Sequence, residues 1–119
     1  MGRVVHFEIT AKDTRRAKKF YQIFGWNITK TGIENVDYWL ANTGDDKQLG
    51  INGAIMPLDY ADQPAIIWIS VDNIDDMIEK VRRAGGEIAG DKQMVPNIGE
   101  TIYIKDTESN RVGLIRPIR

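Results

Sequence analysis

Asp13 and Asn73, Gly25 and Gly85, Asp46 and Asp106, Gly53 and Gly113, Ile55 and Ile115, and Pro57 and Pro117 each stand 60 positions apart in this chain. These coincidences fall on helix caps, helix stops and turns, where backbone geometry dictates residue type. A chain of 119 residues whose punctuation repeats at half its length reads as an internal duplication. One half alone could hardly bury a core, so the halves are expected to form one pseudo-symmetric domain over residues 1–119. Module one then covers about residues 3–56, a linker carrying Pro57, Asp59, Asp62 and Pro64 about 57–64, and module two about 65–117.

Each module reads as βαβββ. Residues 3–10 alternate as a strand does, with Val5, Phe7 and Ile9 on one face and Val4, His6, Glu8 and Thr10 on the other. Asp13 is placed to cap a helix with the apolar stripe Ala17, Phe20, Tyr21 and Phe24, and Gly25 suits its stop. Strand-like segments follow at 26–31, 36–42 and 49–55. In the second half 65–71 is a strand, Asn73 a cap, and Ile74, Met77, Ile78 and Val81 a helical stripe ending at Gly85-Gly86. Strands at 87–93, 100–105 and 111–117 complete it. The repeat sets Phe7 and Ile9 against Ile67 and Ile69, facing the helices, and His6 and Glu8 against Ile66 and Trp68 on the opposite faces. The fold class expected is α+β: two βαβββ modules in pseudo-two-fold repeat, forming curved mixed sheets around a concave cleft, with the helices outside. The inner faces of such a cleft are where a small molecule would bind.

Sixteen Lys and Arg against 17 Asp and Glu leave a net charge of −1, which gives no pull toward nucleic acid or an anionic membrane. Arg15, Arg16, Lys18 and Lys19 on the first helix lack the interleaved aromatics of a nucleic-acid surface and read as a solvated face. The acidic Asp75, Asp76 and Glu79 on the second helix read likewise, and the opposite signs suit self-association. The chain has no cysteine, so disulfides, thiolate metal sites and a cysteine nucleophile are excluded. Its longest apolar run, about 65–71, is far below a membrane span, and the first residues lack the apolar region of a signal peptide. A cytoplasmic protein is expected. Gly50-Ile51-Asn52-Gly53 lacks the Gly-Lys-Ser/Thr ending and following helix of a phosphate loop.

The segments Val4-Val5-His6-Phe7, Arg16-Ala17-Lys18-Lys19-Phe20-Tyr21 running to Phe24-Gly25-Trp26, Ile69-Ser70-Val71-Asp72, Ala84-Gly85-Gly86 and Asp106-Thr107-Glu108-Ser109-Asn110 occur in this order. Together they resemble the vicinal oxygen chelate superfamily, which includes glyoxalase I, bleomycin-resistance proteins and extradiol dioxygenases, over nearly the whole chain. The resemblance implies where a metal would sit, because metalloenzymes of that superfamily draw ligands from the first and fourth strands of each module. Through the 60-residue offset those positions fall on His6, Ile66, Gly53 and Gly113. A catalytic divalent site typically keeps three protein ligands, and Ile and Gly have no donor, so neither a catalytic metal nor another cofactor is predicted. A register shift by two would bring in Glu8, and Asn52 or Gln48 lie near the fourth strand of module one, whereas the same-face neighbours of Gly113 are Arg111 and Ile115. The resemblance also implies a homodimer, since such paired modules swap or pack across a two-fold axis.

His6 is the only histidine, which rules out a His pair or a histidine-based triad within the chain. It is either a general base or hydrogen-bonding group for a ligand, or a partly buried imidazole satisfied by Glu8 or a backbone carbonyl. Glu8, on the same strand face, either orients His6 and meets a ligand or is a solvated charge. Trp68 is expected as an aromatic wall, because Ile67 and Ile69 already account for the helix-facing side. Of Tyr38 and Trp39 only one can share that face, and both stay open; Tyr103 is a further aromatic candidate. The expected function is binding of an apolar or aromatic small molecule without a catalytic metal, with His6, Glu8, Trp68, Trp39 and Tyr103 as ligand-binding residues. The alternative is a metal-dependent lyase, isomerase or dioxygenase that holds a divalent metal at His6.

Overall fold

Period-two alternation in Val4–Ala11 gives the first strand, β1, and a computed structural model describing residues 2–118 shows what is built on it. The chain divides into two units: His6–Ala65, and the segment up to Val5 together with that from Ile66 on. In the first, β1 leads to helix α1 (Thr14–Tyr21), then β2 (Asn27–Lys30), β3 (Trp39–Asn42) and β4 (Gly53–Pro57). In the second, β5 (Ala65–Ser70) leads to α2 (Ile74–Arg83), β6 (Glu87–Ile88), β7 (Gln93–Val95), β8 (Gly99–Lys105) and β9 (Arg111–Pro117). Both units share one topology. The opening strand lies parallel to the closing one, β1 with β4 and β5 with β9, and the remaining pairs are antiparallel. This is the α+β arrangement of two βαβββ modules with mixed sheets.

The helix ends follow from local chemistry. Asp13 accepts a hydrogen bond from the Arg16 amide at 3.0 Å and Asn73 one from the Asp76 amide at 3.0 Å, and each takes up an amide that the first turn leaves without a partner. Gly25 (φ 83°) and Gly85 (φ 96°) follow the two helices in the left-handed conformation that favours glycine. In α2, Asp75 and Asp76 in the first turn and Lys80, Arg82 and Arg83 in the last complement the helix dipole.

Packing separates the two faces of each sheet. Ile74, Met77, Ile78 and Val81 of α2 meet Ile69, Val71, Ile102, Ile104 and Leu114, as the helical stripe requires. Ile67 does not join them and stays 44% exposed. Beneath α1, Ala17 and Tyr21 pack on Ile28, Trp39, Ala41 and Ile55, and the Phe7 and Trp26 rings meet at a tilt of 51° with centroids 5.7 Å apart. Phe20 and Phe24, expected in that stripe, are 56% and 61% exposed. Phe24 lies in the 3-10 turn at Gln22–Phe24, whose three residues per turn depart from the helical period, and Phe20 lies to one side of the Thr14, Ala17 and Tyr21 line that α1 turns to the sheet.

Three strands differ from expectation. The segment 87–93 splits into β6 and β7 around Gly90, and β4 starts only at Gly53, leaving Leu49 in a loop and fully exposed. The third segment begins at Trp39 because Val36 and Asp37 belong to a turn region.

Candidate functional site

On β1, His6 and Glu8 point to the face opposite α1, and the residue just before β3, Tyr38, reaches them. The Tyr38 hydroxyl donates to Glu8 Oε2 at 2.7 Å, and His6 Nε2 lies 3.1 Å from the same hydroxyl. Since the single hydroxyl proton goes to Glu8, the Tyr38 oxygen accepts from His6 and the imidazole carries its proton on Nε2. Glu8 is 3% exposed, so its carboxylate depends on such donors. Burial lowers the His6 pKa below the ordinary value of 6.5, while the negative charge of Glu8 opposes the shift. The shift favours the neutral imidazole, and donation from Nε2 to the Tyr38 oxygen is compatible with that form.

The choice between Tyr38 and Trp39 follows from the same alternation. Tyr38 shares the face of His6, whereas Trp39 packs with Ile28, Ala41 and Ile55 beneath α1. Its Nε1 donates to Asp37 Oδ1 at 2.8 Å. Tyr38 is thus the member of the array that the sequence left unassigned; its signal was the β3 register, which sets Trp39 opposite Ile55 of the helix-side core.

In the other unit Trp68 and Tyr103 meet on the face opposite α2, with ring centroids 4.8 Å apart and tilted by 58°. The Arg111 guanidinium stands 5.6 Å from the Tyr103 ring centroid and donates to the Ala89 carbonyl at 3.1 Å. Trp68 and Tyr103 both pair with Gly113 along the ladders, and a Cβ at Gly113 would sit inside the Trp68 indole.

Register corrects one expected position. Glu8 pairs with Ala54 as Trp68 pairs with Gly113, so Ala54 and not Gly53 is the counterpart of Gly113. Gly53 instead pairs with Phe7 on the helix side, where a Cβ would collide with the Phe7 ring. The four positions are then His6, Ala54, Ile66 and Gly113, and His6 alone bears a donor. Asn52 and Gln48 serve their own loop: Asn52 Oδ1 accepts from the Thr43 amide at 2.9 Å and Gln48 Oε1 from the Asp45 amide at 3.2 Å. Among the described residues no three His, Cys, Asp or Glu side chains are grouped to hold a metal ion. This donor set does not fit a catalytic divalent metal. No helix among these residues is long and apolar enough to cross a membrane.

The chain resembles several solved structures at low identity. Methylmalonyl-CoA epimerase from Mycobacterium tuberculosis shares 14% identity with a TM-score of 0.70, over 98% of this chain and 88% of that one. A glyoxalase/bleomycin resistance protein/dioxygenase superfamily member from Vibrio splendidus 12B01 shares 12% with a TM-score of 0.68, over 99% and 100%. A catechol 2,3-dioxygenase shares 16% with a TM-score of 0.66, over 98% of this chain but 41% of its own. No curated protein matches the sequence. A family profile described as Glyoxalase/Bleomycin resistance protein/Dioxygenase superfamily matches residues 3–114. With nearly the whole chain matched and the paired βαβββ topology in place, this protein belongs to that superfamily.

Proposed function

We propose that this protein binds an apolar or aromatic small molecule without a catalytic metal, using the sheet face opposite the helix in each unit. His6, Tyr38 and Glu8 supply the polar recognition on one such face. Trp68 and Tyr103, with Arg111 beside them, supply aromatic surface and a positive charge on the other. The observation that carries this reading is the commitment of His6 Nε2 to a tyrosine hydroxyl that is itself committed to the buried Glu8. An imidazole held in one tautomer and orientation offers a ligand a directional hydrogen-bonding group.

The competing reading is metal-dependent lyase, isomerase or dioxygenase chemistry at His6, in line with the epimerase and dioxygenase named among the similar structures. Its support is a histidine at the superfamily's ligand position with Glu8 on the same face. Ala54, Ile66 and Gly113 count against it.

A thermal-shift screen of aromatic and apolar compounds tests the binding reading. A ligand at 100 times its dissociation constant stabilises by about 2.7 kcal/mol, well within detection. Trp68→Ala and His6→Ala should each weaken binding of the compounds found. If no such compound stabilises the chain, or if both variants bind as the parent does, the reading fails.

A further inference from the structure

The face of β3 turned away from His6 carries an arrangement that ligand binding at His6 does not use. Trp39 lies there, and three cationic groups stand over its indole. The Lys18 Nζ is 4.9 Å from the ring centroid, the Arg15 guanidinium carbon 5.8 Å and the Lys30 Nζ 5.9 Å. Among the described residues the ion pairs are Arg82–Glu79, Lys92–Asp75, Lys92–Glu100 and Arg116–Glu100, so none involves these three groups or the nearby Lys12. Lys12, Arg15 and Lys30 are exposed and line a hollow of about 550 Å³ whose walls include Trp39.

The two acids that line the hollow are occupied by other donors. Asp37 accepts from the Thr14 hydroxyl on both oxygens, at 3.2 and 3.1 Å, and from Trp39 Nε1 at 2.8 Å. Asp13 caps α1 through the Arg16 amide, so the attraction described here does not come from an uncapped helix end. Three cations thus stand over one ring, and Lys12 lines the hollow beside it with the two carboxylates, on a chain whose net charge is −1. Like charges held this closely repel, and an anion seated among them relieves the repulsion.

We propose that this hollow is a binding site for a phosphate-bearing small molecule, with Lys12, Arg15 and Lys30 taking the phosphate oxygens over a floor fixed by the Thr14–Asp37–Trp39 hydrogen bonds. A phosphate group fits better than a carboxylate because it brings more charge and three oxygens to several separate donors. The volume lies in the range of small-molecule sites and exceeds what one phosphate group fills, so it admits the body that the phosphate is attached to. The inference does not depend on ligand binding at His6.

The test titrates the full chain with pyrophosphate at constant ionic strength and follows the Trp39 indole NH resonance, assigned through its backbone. The expected result is a saturable one-to-one shift, with inorganic phosphate acting in the same direction at higher concentration. Arg15→Gln with Lys30→Gln should weaken the affinity at least about tenfold while the variant keeps the far-ultraviolet circular dichroism of the parent, since both residues are exposed. A shift no larger than sodium chloride produces at equal ionic strength overturns the proposal, and so does undiminished binding by the double variant. An oligonucleotide that binds more tightly than pyrophosphate, and loses its binding in the same variant, overturns it in favour of a nucleic-acid surface.

Discussion

The Tyr38 hydroxyl sits between two groups that define its role, giving its proton to Glu8 and accepting one from His6. Tyr38→Phe removes a donor from a carboxylate that is 3% exposed, and should cost about 1–3 kcal/mol in urea unfolding. Unchanged stability would mean that the contact contributes nothing to holding Glu8. His6 adds a pH dependence of defined sign. Its pKa is below 6.5 when folded and near 6.5 when unfolded, so the unfolded chain binds more protons between those values. Stability from this group is present above pH 6.5, falls as pH drops toward the folded value, and levels off below it. The difference in urea midpoint between the parent and His6→Gln should therefore change across this window; a constant difference would contradict the depressed value. His6 and Glu8 were legible in the sequence as same-face neighbours on an alternating strand. Tyr38 was not singled out, because alternation assigns relative faces within a segment but does not say which face meets β1.

At the scale of elements, what the sequence revealed was local and what it concealed was not. Asp13, Asn73, Gly25 and Gly85 marked the helix ends because caps and left-handed stops are decided by a few neighbouring residues. The pairing of β4 with β1 joins residues more than forty positions apart, and a one-residue difference there turned Gly53 to the helix side and brought Ala54 beside Glu8. The 3-10 turn after α1 likewise lay outside a strict helical period, and Phe24 within it is exposed. Gly113→Ala tests the β5–β9 register with which that pairing was compared. Its methyl group meets the Trp68 indole, so the variant should lose about 1–3 kcal/mol and alter the near-ultraviolet circular dichroism of the tryptophans. Wild-type stability and spectrum in that variant would show that Trp68 does not lie over β9.

On the scale of the whole molecule, the two units share one topology but carry different chemistry. The same strand face carries a polar array, His6, Glu8 and Tyr38, in one unit and an aromatic pair, Trp68 and Tyr103, in the other. Superfamily membership was legible because motif order survives where individual identities fade, at 12–16% identity to the similar structures described above. Ligand identity was not legible, since a fold hosts many functions and the site residues alone choose among them. Light scattering should give a mass near twice 13.5 kDa, as the homodimer implied by the superfamily resemblance requires; a mass near 13.5 kDa would contradict it. The most direct test of metal-free binding is metal content per chain by elemental analysis, after incubation with iron, manganese, nickel and zinc and removal of excess, beside His6→Ala. The expected result is no stoichiometric metal in either protein. About one tightly held ion per chain, lost in His6→Ala, would contradict it and assign His6 to a metal centre.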